Sequence, residues 1–171
     1  MNGTIKIRIA TIADRQGIWK ILEPIIREGK TYPLPMNMNQ SDALDYWLAK
    51  NHNTFVAVLD GKILGTYYLR PNNLGGGAHI ANCGYATHQN ARRKGIAKTM
   101  CTHSLEQAKA KGFLAMQFNF VIASNKGAIK LWSTMGFETL CTLPKVFYHP
   151  ELGYTDALIM FRHLDQTTKS S

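Results

Sequence analysis

The amino-acid sequence predicts one α/β domain with a mixed sheet of about seven strands flanked by about four helices. Three observations lead to this fold class. Strand and helix patterns follow in the order strand, two helices, three strands, helix, strand, helix and two strands. With 45% apolar and 18% charged residues, the composition is that of a globular protein. The length of 171 residues suits a single domain.

The first strand and helix are predicted from alternation and capping residues. Residues 4–10 alternate apolar and polar side chains, as a half-buried strand does. Thr11 and Asp14 have the spacing of a capping box and begin a helix over residues 14–28. Gly29 ends this helix.

The next stretch is predicted to be a loop, a short helix and a hairpin. Pro33 and Pro35 make residues 30–40 a shaped loop. Ser41 is expected to cap a helix that reaches about residue 50. The β-rich runs at 54–59 and 62–70 flank Asp60-Gly61, which is a strong hairpin signal.

The second half begins with a central strand over residues 79–87. The apolar residues of 94–111 recur at helical spacing, and Gly112 ends that helix. The apolar run at 113–121 is typical of a strand buried on both faces. A helix over 125–135, ended by Gly136, precedes the two last strands, which are predicted at 137–143 and 156–163.

Composition limits the location and the kind of site. Residues 1–164 are expected to form the single domain and residues 165–171 a polar tail. No run of about 18 apolar residues and no signal-peptide core is visible, so we expect a cytoplasmic, soluble protein without a membrane partner. The three cysteines lack metal-ligand spacing, and their odd number argues against a disulfide framework. We expect buried free thiols and no metal.

The net charge of +9 favours polyanionic partners, and both nucleic acid and a phosphorylated cofactor qualify. No run of five basic residues occurs, and the densest cluster, Arg92-Arg93-Lys94, is followed by Gly95. The aromatic residues of 113–121 lie in a buried strand, which disfavours a stacking platform for single strands. We therefore expect a phosphorylated cofactor and no nucleic acid.

The basic cluster lies at the start of the predicted helix over 94–111, where unpaired amides and the helix dipole attract phosphate. Gly95 lets a phosphate approach the backbone. A solvated basic helix cap is the alternative interpretation of so short a pattern. The residues of a Walker A loop and of a dinucleotide fingerprint are absent, so neither ATP nor NAD is indicated.

The pattern Arg92-x-x-Gly95-x-Ala97 resembles the acyl-CoA signature of the GNAT superfamily of N-acetyltransferases, with Ala97 in place of the usual second glycine. A second block, from Asn125-x-x-Ala128-x-x-Leu131-Trp132 to Gly136-Phe137, resembles the next helix and strand of that family. The resemblance covers essentially the whole chain and implies the mostly antiparallel GNAT fold.

The resemblance further implies acetyl-CoA as co-substrate. The pantetheine arm would enter a gap between the strands at 79–87 and 113–121. The implied cofactor-binding residues are Ala86, Thr87, Arg92, Arg93, Lys94, Gly95, Ile96, Ala97, Asn125, Ala128 and Trp132. Many relatives have tyrosine where Trp132 stands, and that hydroxyl is thought to protonate the departing thiolate. An indole N–H is not a usable acid, so Trp132 is not assigned this role.

Asn82 and Asn119 are polar residues within apolar runs and are predicted to take part in catalysis and substrate binding. Buried amides need partners, and the alternative is that backbone groups at the gap satisfy both. The surrounding residues also resemble a GNAT subgroup that includes proline-analogue acetyltransferases, in which paired asparagines orient a small imino or amino acid. Tyr85 is a further catalytic candidate, although a strand tyrosine is more often part of the core.

Tyr32 lies in the loop that covers the acceptor pocket in the family and is predicted to contact substrate. Lys30 and Arg70 are candidates to meet a substrate carboxylate, although exposed lysines are usually only solvated surface. No carboxylate lies in residues 79–87, so a chain of water molecules is the expected route for the proton. Cys83 has no histidine at motif spacing, and direct transfer is the family's norm.

These residues predict an N-acetyltransferase that acts on a small amino- or imino-acid-like amine by direct attack in a ternary complex. A protein or peptide acetyltransferase is one alternative. An inactive acyl-CoA-binding sensor, suggested by Trp132, is the other. A homodimer is common in the family.

Overall fold

A computed structural model of the chain describes residues 3–91 and 94–165. The strands are β1 (Lys6–Ile9), β2 (Asn53–Leu59), β3 (Lys62–Pro71), β4 (Ile80–Thr87), β5 (Ala115–Ile122), β6 (Glu138–His149) and β7 (Gly153–His163). The α-helices are α1 (Arg15–Glu28), α2 (Gln40–Trp47), α3 (Ile96–Ala110) and α4 (Lys126–Thr134). The predicted fold class and element order are confirmed.

The described strands form one seven-stranded sheet in the order β1-β2-β3-β4-β5-β7-β6. All neighbours are antiparallel except β4 and β5, which are parallel. β4 and β5 pair only at Ile80 with Ala115 and at Ala81 with Met116. Beyond these residues the two strands separate, so the sheet has a gap at its centre.

The β2–β3 hairpin turns at Asp60-Gly61 as predicted. Asp60 has a φ of 49° and Gly61 a φ of 74°. Positive φ at both positions suits the right-handed twist of paired strands, and aspartate followed by glycine tolerates it best.

The cap of α2 corrects one expectation. Asn39, not Ser41, is the capping residue, because its side-chain oxygen accepts the N–H of Asp42 at 2.9 Å. The helix ends at Trp47 rather than near residue 50. Asparagine and serine are equally good caps, so capping preference alone did not distinguish position 39 from position 41.

The last hairpin is longer than the sequence predicted. The sequence pattern predicted that this strand ends at residue 143, one residue before Pro144, which lacks an N–H. Instead β6 continues through an irregularity at which Lys145 has a φ of 53° and its N–H donates to Asp156 Oδ1 at 2.9 Å. The β6–β7 turn therefore comes after His149, next to the gap in the sheet.

Two apolar clusters cover the faces of the sheet. One packs α3 and α4 against it, and the other packs α1 and α2. Trp47 is fully buried in the second cluster, and its indole N–H donates to Thr66 Oγ1 at 3.0 Å. The Thr66 hydroxyl in turn donates to the carbonyl of Phe55 at 2.9 Å. These two hydrogen bonds satisfy the buried indole N–H of Trp47 and the buried hydroxyl of Thr66.

Asp14 joins β1 to the start of α1. Its carboxylate accepts two guanidinium bonds from Arg8, at 2.7 and 2.8 Å, and the N–H of Thr11 at 2.7 Å. The hydrogen bonds from Arg8 are the main cause that holds the pKa of Asp14 well below its usual range. The stabilisation is therefore complete above the unfolded pKa of about 4 and is lost as the pH falls toward the lower folded pKa.

Asp14→Asn is expected to lower stability at pH 7 by about 1 to 2 kcal/mol, a value reduced because Arg8 is half exposed to water. For a domain of this size the melting temperature falls by about 2 to 8 °C. The difference from wild type should shrink below about pH 4. Calorimetric melting curves from pH 3 to pH 7 measure this difference in stability. Asp45→Asn is the matched control, since Asp45 makes only an exposed 3.4 Å pair with Arg15. Equal losses in both variants would contradict the role given to Asp14.

Candidate functional site

A cavity of about 980 Å³ opens at the gap between β4 and β5. The predicted site residues that line it are Tyr32, Asn82, Tyr85, Ala86, Thr87, Gly95, Ile96, Ala97, Asn119, Asn125, Ala128 and Trp132. Lys94 is exposed and is not part of this wall. Arg92 and Arg93 lie outside the described residues. The fold thus brings together residues that are up to a hundred positions apart, at the point where the sheet opens.

Asn82 lies where β4 leaves β5. Its side chain is buried, and its Nδ2 donates to the carbonyl of Gln117 at 2.9 Å. This bond spans the gap just after the last paired residues. The Oδ1 of Asn82 accepts a long 3.4 Å bond from Arg70 Nε. Asn82 therefore holds the edges of the gap and positions a cation beside it.

The amino end of α3 forms a second side of the cavity. Gly95 precedes the helix with a φ of 77°, a conformation that favours glycine. The first turn of a helix leaves amides without intrahelical partners, here those of Ile96, Ala97 and Lys98. These amides and the helix dipole make this wall suited to an anion.

The start of α4 forms a third side. Asn125 caps the helix, and its Oδ1 accepts the N–H of Ala128 at 3.2 Å. Its Nδ2 makes no hydrogen bond with a described residue, and Asn125 is one of the residues that line the cavity. The ring of Trp132 packs 4.9 Å from Tyr85 and 5.0 Å from Phe118. Trp132 therefore completes an apolar wall next to the gap.

The hydroxyl of Tyr85 points into the core beneath α3. It lies 2.6 Å from Ser104 Oγ, and the Ser104 hydroxyl donates to the carbonyl of Cys101 at 2.7 Å. Since serine has a single hydroxyl proton, Tyr85 is the donor in its bond with Ser104. Burial raises the pKa of Tyr85 well above its usual value. To donate to a thioester, Tyr85 would first have to leave Ser104.

Tyr32 fixes the loop between α1 and α2 on the sheet. Its hydroxyl donates to the backbone carbonyl of Tyr85 at 2.8 Å, and its ring lies edge-on to Trp47. Burial raises its pKa far above the ordinary tyrosine value. Tyr32 is therefore a neutral, fixed part of the cavity wall.

Asn119 is exposed, so the burial expected for it is wrong. Its Nδ2 donates to Asn72 Oδ1 at 2.6 Å, and its Oδ1 accepts from Gln117 Nε2 at 2.8 Å. The pairing of β5 with β7 shifts register between Phe118 and Val121, which breaks the alternation of buried side chains. Asn82 and Asn119 therefore line the same cavity, but Asn82 is buried and Asn119 is exposed.

Charged groups concentrate at the end of the cavity next to α1. Lys30 and Glu151 form an ion pair of 2.5 Å, and Lys30 lowers the pKa of that carboxyl group. Arg70 is half-buried and forms no ion pair with a described residue. Glu28 also lines this end. Arg70 is thus a cation at this end of the cavity that no described carboxylate neutralises; Lys98, at the start of α3, also lines the cavity without a described ion pair.

Among the charged and histidine side chains of the cavity wall, sequence reasoning missed four, namely Glu28, Lys98, His149 and Glu151. Lys98 was detectable, because it lies in the first turn of a helix whose start was predicted. Glu28 ends α1 and looks like ordinary helix surface. The other two lie beyond Pro144, where the pattern predicted no strand.

The model of the acetyltransferase (GNAT) family matches residues 19–137. The chain belongs to the GNAT family. It is also 30% identical over 157 residues to N-acetyltransferase aca1 of Schizosaccharomyces pombe, covering 81% of this chain and 74% of the relative.

Solved GNAT structures share the fold. A GCN5-related N-acetyltransferase from Kribbella flavida superposes with a TM-score of 0.90 at 34% identity, over 94% of this chain and 98% of that one. A phosphinothricin acetyltransferase from Sinorhizobium meliloti, in complex with acetyl-CoA, has a TM-score of 0.83 at 20% identity, over 98% and 92% of the two chains. The second likeness shows the fold alone.

As a GNAT protein, the chain is an acetyl-CoA-dependent N-acetyltransferase. Acetyl-CoA supplies the acetyl group as co-substrate. Within residues 3–91 and 94–165, no cluster of three or more histidine, cysteine or acidic side chains is arranged to hold a metal. None of the helices described is long and apolar enough to span a membrane.

Asn125→Asp is expected to weaken acetyl-CoA binding by about tenfold while leaving stability unchanged. Aspartate keeps the oxygen that caps α4, but it has no N–H to donate and it adds a negative charge near the cofactor. Calorimetric titration with acetyl-CoA, together with a melting curve, measures both effects. Asn39→Asp at the cap of α2 is the control for affinity: it should bind acetyl-CoA normally. It should also melt at a lower temperature, because Asn39 Nδ2 donates to Asp42 Oδ2 at 2.9 Å and an aspartate there would repel that carboxylate. Unaltered affinity in Asn125→Asp would show that Asn125 acts only as a cap.

Proposed function

We propose that this GNAT enzyme acetylates the amino or imino nitrogen of a small molecule that carries a carboxylate. The observation on which the proposal rests is Arg70, a half-buried cation at the cavity with no ion-pair partner among the described residues. A cation in this position favours an anionic ligand, and a guanidinium binds a carboxylate well because it offers two parallel N–H groups.

The enclosed shape of the acceptor end favours a small substrate over a peptide. Tyr32 bonds the α1–α2 loop to β4, and Lys30 joins the same loop to the β6–β7 turn through Glu151. Both contacts hold the α1–α2 loop at the acceptor end of the cavity. An extended peptide needs an open groove, which these contacts restrict.

The cofactor sites follow from the walls of the cavity. We propose that the amides from Gly95 to Ala97 bind the pyrophosphate, with Arg92, Arg93 and Lys94 adding charge. The backbone of Ala86 and Thr87, which lies at the open edge of β4, would bind the pantetheine arm. Asn125 would donate Nδ2 to that arm, with Ala128 and Trp132 packing beside it.

Asn82, Asn119 and Tyr32 are proposed to orient the acceptor. The bond from Asn82 to the Gln117 carbonyl fits the alternative in which backbone satisfies the amide, and its contact with Arg70 gives it a positioning role as well. Asn119 is exposed and free to exchange its partners for substrate. Tyr32 would form the apolar floor of the acceptor pocket.

Direct attack is the proposed route. The acceptor nitrogen forms a bond to the acetyl carbon, the carbon–sulfur bond breaks, and the nitrogen loses one proton. An acyl-cysteine at Cys83 is disfavoured, because burial raises the pKa of its thiol far above the usual value. Tyr85 stays a catalytic candidate only if its hydroxyl gives up the hydrogen bond to Ser104 and donates to the sulfur of CoA instead. A chain of water molecules stays the proposed proton route.

The test is thiol release from acetyl-CoA across amino acids, proline analogues, polyamines, peptides and amines without a carboxylate, with a thermal shift by acetyl-CoA measured alongside. Preferential turnover of small amino or imino acids would support the proposal. Turnover of peptides alone, or a thermal shift without any turnover, would contradict it and favour a protein acetyltransferase or a sensor.

Two further predictions concern the setting of the enzyme. A homodimer stays a prediction, for which the edge strand β6 offers the exposed side chains of Leu140, Val146 and Tyr148. A cytoplasmic location, without nucleic acid or membrane partners, also stays a prediction.

A further inference from the structure

His149 is a buried histidine of the cavity wall that neither the cofactor sites nor the proposed acceptor sites use. It ends β6 and is only 6% exposed. Its Nδ1 lies 3.1 Å from the N–H of Glu151 and 3.3 Å from the N–H of Leu152. Both backbone groups are donors, so Nδ1 must be the acceptor and carries no proton. In the neutral ring the proton is then on Nε2.

The Nε2–H group has no hydrogen-bond partner among residues 3–91 and 94–165. No hydrogen bond joins it to a described residue, although every fully buried side-chain nitrogen or oxygen of the described residues has one. Nε2 is therefore accessible from outside the packed core, and His149 is one of the residues that line the cavity. Water can accept from this N–H when the cavity is empty, and an acceptor group of a ligand can take the place of that water.

We infer that His149 is a specificity-determining residue whose Nε2–H donates to the carboxylate of the acceptor. This inference rests on the proposed function. It also excludes His149 as the general base, because the two backbone N–H groups occupy its only lone pair. Glu151 belongs to the turn that fixes the His149 ring, and its ion pair with Lys30 connects this turn to the α1–α2 loop.

Two substitutions separate the two roles of His149, which are donation by Nε2–H and acceptance by Nδ1 of the N–H groups of the turn. Asparagine places its side-chain oxygen near the position of Nδ1, so His149→Asn keeps the acceptor for the turn and removes the donor. Glutamine places an N–H near the position of Nε2, so His149→Gln keeps the donor. Melting temperatures of both variants report the integrity of the turn.

The assay compares azetidine-2-carboxylate, a proline analogue, with azetidine, which lacks the carboxylate. For the carboxylate substrate, His149→Asn is expected to raise KM about tenfold to a hundredfold with little change in kcat, since it removes one hydrogen bond to a charged group. For azetidine it should change neither constant. His149→Gln should retain most of the wild-type preference.

The outcomes distinguish the inference from the proposed function. If wild type prefers the carboxylate substrate and His149→Asn keeps that preference, the inference is overturned and the proposed function stands. If wild type shows no preference between the two substrates, both the proposed carboxylate-bearing substrate class and the inference about His149 are overturned. Loss of preference in His149→Asn and its retention in His149→Gln supports both. The ¹⁵N spectrum of the imidazole adds a test without substrate, because a proton on Nδ1 would overturn the inference directly.

Discussion

Gly95→Glu is expected to weaken acetyl-CoA binding by a hundredfold or more, equivalent to about 2.7 kcal/mol. The new carboxylate would lie at the amino end of α3, where the diphosphate of the co-substrate is proposed to bind. Two like charges at one anion site repel each other, and the side chain occupies the space that the phosphate needs. Calorimetric titration with acetyl-CoA measures the loss.

The control for this variant is at the other end of the same helix. Gly112 has a φ of 83°, close to the 77° of Gly95, and an added Cβ meets no atom within 4 Å at either position. Gly112→Glu therefore carries the same left-handed backbone strain of about 1 kcal/mol. It should melt at a similar or lower temperature than Gly95→Glu and still bind acetyl-CoA normally. Normal affinity in Gly95→Glu would remove the proposed pyrophosphate site.

The sequence predicted best those features that depend on neighbouring residues. The ends of α1 and α3 were predictable because Gly29 and Gly112 have positive φ, which glycine tolerates without strain. The hairpin at Asp60-Gly61 was predictable for the same reason. The candidate cofactor wall was predictable because its groups belong to helix termini, which capping residues mark.

The acceptor end was less predictable because its contacts join distant parts of the chain. Lys30 and Glu151 are 121 positions apart, and no local pattern links them. The bond between Tyr85 and Ser104 joins β4 to α3, so the direction of that hydroxyl depends on how the helix packs. Asn119 lies at a shift in strand register, and a period of two residues does not hold across such a shift.

The end of strand β6 was predicted too early, at residue 143 instead of His149, and Pro144 follows that predicted end directly. Proline removes one N–H and is expected to end a strand in the middle of a sheet. Pro144 lies in the register shift between Leu143 and Phe147, where β6 makes no ladder pair with β7, so no ladder bond is lost. The strand therefore continues and carries His149 to the cavity.

Arg70→Leu is expected to raise KM for a carboxylate-bearing acceptor by about a hundredfold. The guanidinium is proposed to bind the carboxylate by charge-assisted hydrogen bonds, each of which contributes about 1.5 to 3 kcal/mol. Leucine fills much of the same volume and removes the charge. Because Arg70 forms no ion pair with a described residue, its removal leaves no described carboxylate unpaired. Steady-state kinetics with azetidine-2-carboxylate at saturating acetyl-CoA measure the effect.

The same variant distinguishes a binding role from a structural one. Arg70 also contacts Asn82, which bonds across the gap to Gln117. If Arg70 served mainly to hold Asn82, Arg70→Leu would reduce turnover of azetidine as much as that of the carboxylate substrate. A substrate-binding role predicts a loss confined to the carboxylate substrate, with acetyl-CoA affinity unchanged. Arg15→Leu is the matched control, because Arg15 makes only the exposed pair with Asp45 and does not line the cavity. A parallel loss for both acceptors would place the substrate carboxylate elsewhere and leave Arg70 as a support for Asn82.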